Sequence, residues 1–94
     1  MRTILVIDDE HPTLEMFRLH LEAHGHRVLT AGSGEEGLAV FETDGPEIVF
    51  TDIKMPGLDG LAVLRAVKER RPGTEVIVIT GHGDVEVALT ALEL

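Results

Sequence analysis

Three short apolar segments constrain the fold of this chain most strongly. They cover residues 4–7, 47–51 and 75–79, and they are rich in β-branched residues. Their apolar residues are consecutive rather than alternating, which is typical of strands buried on both faces of a parallel sheet. A weaker fourth candidate covers residues 27–31. The sequence therefore predicts a sheet that is covered on both sides.

The segments between these strands have the spacing of amphipathic helices. A first helix is predicted over about residues 12–24, a second opens with a capping box of Ser33 and Glu36, and a fourth begins near Asp84. The inward positions are Leu14, Phe17 and Leu21 in the first helix, Leu38 and Phe41 in the second, and Leu61, Leu64 and Val67 in the third. Strand and helix alternate four times, which predicts an α/β domain with a parallel sheet and right-handed crossovers.

Length and charge restrict the function. Ninety-four residues allow one domain, and eight Lys+Arg against seventeen Asp+Glu give a net charge of −9. The largest basic cluster is Arg70-Arg71, which argues against direct binding of nucleic acid or of a membrane surface. The sequence has no cysteine and no apolar run of about 18 residues. We expect a soluble cytoplasmic protein whose ligands are cations.

Acidic and hydroxyl side chains stand directly after three of the predicted strands. Asp8 and Asp9 follow the first, Asp52 the third and Thr80 the fourth. Ligands of parallel sheets collect beyond the carboxyl ends of the strands. If the first and third strands are neighbours, three carboxylates meet there, and their mutual repulsion requires a cation. Oxygen ligands without His or Cys favour Mg²⁺ or Mn²⁺.

Each residue of this group also has a structural interpretation. The acids after the first strand could cap the first helix, and Thr80 could be a β-former at a strand end. The loop over residues 52–60 contains Pro56-Gly57 and Asp59-Gly60, which predict two tight turns that fix the backbone after Asp52. It could equally be a simple connector. Such side chains stand at the same end of three predicted strands, and this coincidence favours the interpretation as a metal site.

Taken together, these motifs and their spacing give the chain a resemblance to the receiver domain of two-component response regulators over residues 3–94. The residues that carry the resemblance are Asp8-Asp9, Asp52, Met55-Pro56, Asp59-Gly60 and Thr80. It implies a flavodoxin-like (CheY-like) α/β fold with strand order 2-1-3-4 in this chain. Residues 80–85 are similar to receivers of nitrogen-regulation and nitrogen-fixation regulators.

The resemblance also implies roles for single residues. Asp52 would accept a phosphoryl group from a sensor histidine kinase, and Asp9 and Asp52 would hold Mg²⁺ directly. The backbone carbonyl of Lys54 would be a third ligand, Asp8 would act mostly through water, and Thr80 would be the switch hydroxyl. Such a domain is a signalling module rather than an enzyme, and its output would be transcriptional.

The family continues with a fifth strand ending in Lys-Pro and a fifth helix, whereas this sequence ends within the predicted fourth helix. We therefore expect residues 1–94 to be a receiver domain that is incomplete at its C-terminus, as a fragment or a naturally short chain. The uncovered sheet edge at residues 76–79 predicts a homo-oligomer.

Three alternatives stay open from the residues. The chain could be a dimerisation module that works without phosphorylation. An aspartyl-phosphate hydrolase is disfavoured, because the second residue after Asp52 is Lys54 rather than an acid. His20, His24 and His26 could hold zinc, although solvated histidines at a helix end are the simpler interpretation.

Overall fold

The structure is a computed structural model, and it describes residues 2–79. Four strands and three helices alternate along this part of the chain. The strands are β1 (Thr3–Ile7), β2 (Arg27–Ala31), β3 (Ile48–Asp52) and β4 (Glu75–Ile79). The helices are α1 (His11–Ala23), α2 (Gly34–Asp44) and α3 (Gly60–Arg70). The predicted fourth helix lies outside the described residues.

The strands form one parallel sheet in the order β2-β1-β3-β4, which confirms the predicted order 2-1-3-4. In the register between β1 and β3, Ile4 pairs with Ile48 and Ile7 with Thr51. Both strands are central, and their apolar side chains are almost completely buried. The neighbouring carboxyl ends of β1 and β3 therefore lie side by side.

Helices cover both faces of the sheet. Residues of α1 pack with one set of strand side chains in a first core cluster, which consists of Ile4, Val6, Leu14, Phe17, Leu21, Ile48, Phe50 and Ile79. Residues of α2 and α3 pack on the opposite face in a second cluster, which consists of Leu5, Ile7, Ala31, Phe41, Val49, Met55, Val63 and Val67. Alternate residues of each strand enter different clusters, which explains why the strand sequences are apolar without interruption. Within residues 2–79, no helix combines the length and the apolar character needed to cross a bilayer.

The start of α2 differs in one detail from the predicted capping box. Ser33 is the N-cap, and its hydroxyl oxygen accepts a hydrogen bond from the backbone N–H of Glu36 at 3.1 Å. The carboxylate of Glu36 accepts from the backbone N–H of Gly32, also at 3.1 Å, rather than from that of Ser33. Two backbone donors are still satisfied, so the helix start is well defined.

The buried face of α3 differs from the predicted stripe of Leu61, Leu64 and Val67. Val63 and Val67 are fully buried, whereas Leu61 is 41% exposed and Leu64 is half-buried. The cause is Gly60, at which a Cβ would collide with the backbone carbonyl of Asp52. This contact fixes the rotation of α3 about its axis. Val63 and Val67, three and seven residues after Gly60, then face the sheet. In α2, Phe41 is buried as predicted and Leu38 is half-buried.

Candidate metal centre

Three carboxylates converge at the carboxyl ends of β1 and β3. Asp8 and Asp9 follow β1 directly, and Asp52 is the last residue of β3. One carboxylate oxygen from each residue lies within 4.8 Å of the others. In the described part of the chain this is the one group of three or more acidic, histidine or cysteine side chains near enough to share an ion. The structure thus brings together the three acids that the sequence places at strand ends.

The environment of Asp8 shows why this arrangement favours a cation. Asp8 is half-buried, and its Oδ1 accepts a hydrogen bond from the backbone N–H of Glu10 at 2.9 Å. Burial raises the pKa of Asp8, and the charges of Asp52, Asp9 and Glu10 raise it further, while the hydrogen bond from Glu10 opposes the shift. The ionised form is therefore disfavoured, and a bound cation would remove this penalty.

The donor set fits Mg²⁺. All three side chains offer carboxylate oxygens, the hard ligands that this ion prefers, and Asp9 is exposed while Asp52 is half-buried. Mg²⁺ keeps several waters and binds phosphate oxygens together with one or two carboxylates. A solvent-accessible group of acids can accommodate both kinds of additional ligand.

The loop after Asp52 is anchored more firmly than a simple connector. Met55 is buried in the core cluster beneath α2 and α3, and Gly57 has a positive φ of 77° that favours glycine. The backbone N–H of Gly60 donates to the carbonyl of Ile53 at 3.0 Å. Asp59 is the N-cap of α3, and its Oδ1 accepts from Ala62 N at 2.9 Å. The backbone between Asp52 and α3 therefore has a defined conformation.

The other predicted site residues have separate outcomes. The side chain of Lys54 is exposed, as expected for a residue that would contribute only its carbonyl oxygen. Thr80 lies outside the described residues, so its role stays a prediction. The residue before it, Ile79, pairs with Asp52 in the sheet.

The three histidines of the zinc alternative do not form a group that could share an ion. The rings of His20 and His24 lie 4.8 Å apart between centroids, but Nδ1 of His26 instead accepts a hydrogen bond from the backbone N–H of Arg2.

A contact between α2 and the loop after Asp52 was not predicted from the sequence. The carboxylate of Glu35 accepts a hydrogen bond from the backbone N–H of Leu58 at 3.4 Å. The two residues are 23 positions apart, and no local pattern signals such a contact. A glutamate in the first turn of a helix is explained at the sequence level by the helix dipole alone.

Asp8→Asn is expected to stabilise the metal-free protein at neutral pH by up to about 1 kcal/mol. Asparagine retains the acceptor for the N–H of Glu10 and removes the charge that burial and three neighbouring acids disfavour. Since the folded-state pKa of Asp8 is raised, native Asp8 binds its proton more tightly than unfolded Asp8, and wild-type stability increases as pH falls through that pKa. The advantage of the variant should therefore shrink on acidification.

Thermal melts without Mg²⁺ over a pH series measure this difference. Asp44→Asn is the matched control, because Asp44 lies outside the acidic group and its Oδ1 is 3.8 Å from the guanidinium of Arg27. Its substitution should therefore give no gain in stability. An Asp8→Asn protein that melts below the wild type at neutral pH would contradict the expected repulsion.

A parallel sheet with helices on both faces and three acids at the ends of its two central strands is the arrangement that the resemblance to receiver domains implies. The sequence model described as "Response regulator receiver domain" matches residues 4–94. The chain belongs to this family, which is the receiver domain of two-component response regulators.

Named relatives and solved structures agree with this assignment. The DNA-binding transcriptional regulator NtrC of Salmonella typhimurium is 34% identical over 90 residues, which are 96% of this chain and 19% of the relative. A receiver domain protein from Clostridium thermocellum is 43% identical with a TM-score of 0.83, over 99% of this chain and 75% of that one. The structure of NtrX from Brucella abortus is 37% identical with a TM-score of 0.82, over 98% of this chain and 21% of that one. The chain spans about a fifth of the length of most of these curated relatives, and 38% of the probable transcriptional regulator ycf27 of Cyanophora paradoxa.

Proposed function

We propose that this receiver domain takes one phosphoryl group onto Asp52 from the phosphohistidine of a sensor histidine kinase, with Mg²⁺ in the acidic group. The observation that supports this most directly is the approach of Asp8, Asp9 and Asp52 to within 4.8 Å of one another at their ligand oxygens. The half-buried carboxylate of Asp52 lies at the end of a central strand, where both a metal and a donor can reach it.

In the proposed transfer, a carboxylate oxygen of Asp52 attacks phosphorus as the bond from phosphorus to the donor nitrogen breaks. The product is an acyl phosphate, and the donor nitrogen keeps the electron pair of the broken bond. Asp9 and Asp52 would bind Mg²⁺ with the carbonyl oxygen of Lys54, and Asp8 would hold one of its waters. When bound, the metal neutralises the charge of the transferred group and aligns it for attack.

The acyl phosphate adds negative charge at the edge of the sheet, and the hydroxyl of Thr80 would then donate to a phosphoryl oxygen. Because the chain itself is the acceptor, we propose a regulatory rather than an enzymatic role. Several matched relatives are named as transcriptional regulators, so we propose a transcriptional output through other parts of a longer protein and a location in the cytoplasm. Association of copies through β4, which among residues 2–79 pairs only with β3, stays a prediction.

No observation favours the two other candidate functions. A dimerisation module without phosphorylation would not need three acids close together, where burial and the charges of the neighbouring acids raise the pKa of Asp8. A hydrolase would need a general acid near Asp52, and Lys54, the second residue after it, has an exposed basic side chain.

Incubation with acetyl phosphate and Mg²⁺ is expected to add one phosphoryl group per chain, measured by intact-protein mass spectrometry. Removal of Mg²⁺ with a chelator should reduce the modified fraction at least about tenfold, because three carboxylates would then repel the anionic donor. A mass that is unchanged both with this donor and with a phosphorylated histidine kinase domain would refute the proposal.

A further inference from the structure

The amino end of α2 contacts the segments on both sides of the acidic site. On the β1 side, Gly37 lies against Ile7, the residue before Asp8, so closely that a Cβ would collide with the isoleucine side chain. On the β3 side, a Cβ at Gly34 would lie 2.5 Å from the carbonyl oxygen of Leu58. One helix turn therefore bridges the strand end that carries Asp8 and the loop that follows Asp52.

Glu35 adds a polar contact to this bridge. Its Oε1 accepts the hydrogen bond from the backbone N–H of Leu58 at 3.4 Å. Its Oε2 lies 2.7 Å from the position of a Cβ at Gly57, a residue whose φ of 77° excludes most side chains. The glutamate thus lies directly against the backbone of the turn at residues 57–58.

The turn at residues 57–58 lies between two anchored parts of the loop. Upstream, Met55 is buried in the core, and downstream, Asp59 caps α3. Leu58 is half-buried against the same core cluster. Within the described residues, Glu35 supplies the side-chain acceptor for the backbone N–H of Leu58.

From these contacts we infer that Glu35 is a positioning residue for the metal site, which holds the turn at residues 57–58 and thereby the Lys54 carbonyl relative to Asp52. The inference rests on the proposed function, since it concerns the same Mg²⁺ site. A loop that is ordered before the ion binds loses less conformational entropy on binding, so the affinity of the site for the ion is higher. Groups that orient metal ligands without touching the ion commonly change affinity in this way.

The test measures Mg²⁺ affinity of the whole chain by isothermal titration calorimetry. Glu35→Ala should weaken Mg²⁺ binding about threefold to tenfold. This loss is smaller than the one expected for a buried group that orients a metal ligand, because Glu35 is exposed. Glu35→Gln keeps an oxygen acceptor for the N–H of Leu58 without the charge and should stay within about twofold of the wild type. Glu42→Ala removes an exposed charge from the same helix, where Glu42 pairs with Arg70, and should not change affinity.

Amide hydrogen exchange of Leu58, followed by NMR without metal, provides a second readout. Exchange should be faster in Glu35→Ala than in the wild type, Glu35→Gln or Glu42→Ala. Equal Mg²⁺ affinity of wild type and Glu35→Ala, equal losses in Glu35→Ala and Glu35→Gln, or unchanged exchange in Glu35→Ala would each overturn the positioning role alone. A wild-type chain that binds no Mg²⁺ would overturn the proposed function and this inference with it.

Discussion

Asp52→Asn is expected to abolish phosphoryl uptake, with a decrease of at least about a hundredfold in the modified fraction. The carboxylate oxygen is the proposed nucleophile, and a neutral amide of the same size cannot replace it in forming an acyl phosphate. The variant should still fold, because the substitution removes one of the charges that raise the pKa of Asp8. Intact-protein mass spectrometry after incubation with acetyl phosphate and Mg²⁺ measures the loss.

Asp59→Asn is the matched control for this experiment. It removes the same charge from the other end of the loop, and asparagine is as good an N-cap as aspartate for α3. Asp59 is not part of the group of three carboxylates, so this variant should be modified like the wild type. If Asp52→Asn is phosphorylated to the wild-type extent, the acceptor is another residue, and Asp8 and Asp9 become the candidates.

Phe50→Ala is expected to destabilise the fold by about 3–5 kcal/mol. Phe50 has no exposed surface, lies in the central strand β3 and packs on Phe17 with ring centroids 5.3 Å apart. Small domains are stable by about 5–15 kcal/mol in total, so the loss removes a large share of the stability. Because Phe50 is two residues before Asp52, the acidic site should become disordered along with the strand.

Urea unfolding followed by circular dichroism measures this loss as a lower midpoint. Leu19→Ala is the control, since Leu19 is 64% exposed on α1 and its truncation should change stability by no more than about 0.5 kcal/mol. A Phe50→Ala protein within about 1 kcal/mol of the wild type would mean that the core clusters do not hold the sheet together in the way the burial pattern indicates.

The strands β1, β3 and β4 could be predicted from the sequence because each contains a short unbroken apolar run, which is the direct consequence of burial on both faces. The strand β2, with the sequence RVLTA, gave a weaker signal. The buried face of α3 could not be predicted in the same way. Leu61 and Leu64 have helical spacing, yet the contact of Gly60 with the Asp52 carbonyl decides which side of the helix faces the sheet. That contact joins two elements and leaves no periodic trace.

The acidic site was predictable in composition but not in geometry. The residues Asp8, Asp9 and Asp52 follow strands, which the sequence shows, but their convergence depends on β1 and β3 being neighbours. Strand order came from the resemblance to receiver domains and not from any pattern in the residues. The contact of Glu35 with Leu58 could be predicted neither from the sequence pattern nor from the resemblance, because it depends on how α2 packs on a loop distant in sequence.

The contact at Gly60 also limits how this domain can be recombined with its relatives. With the backbone of Asp52 pressed against the first residue of α3, no methyl group fits between them. A chimera that imports a different α3, or a different segment before it, must therefore keep glycine as the first residue of the helix, whatever the other residues are. Any larger residue there would push β3 and α3 apart and would widen the spacing between the three acids.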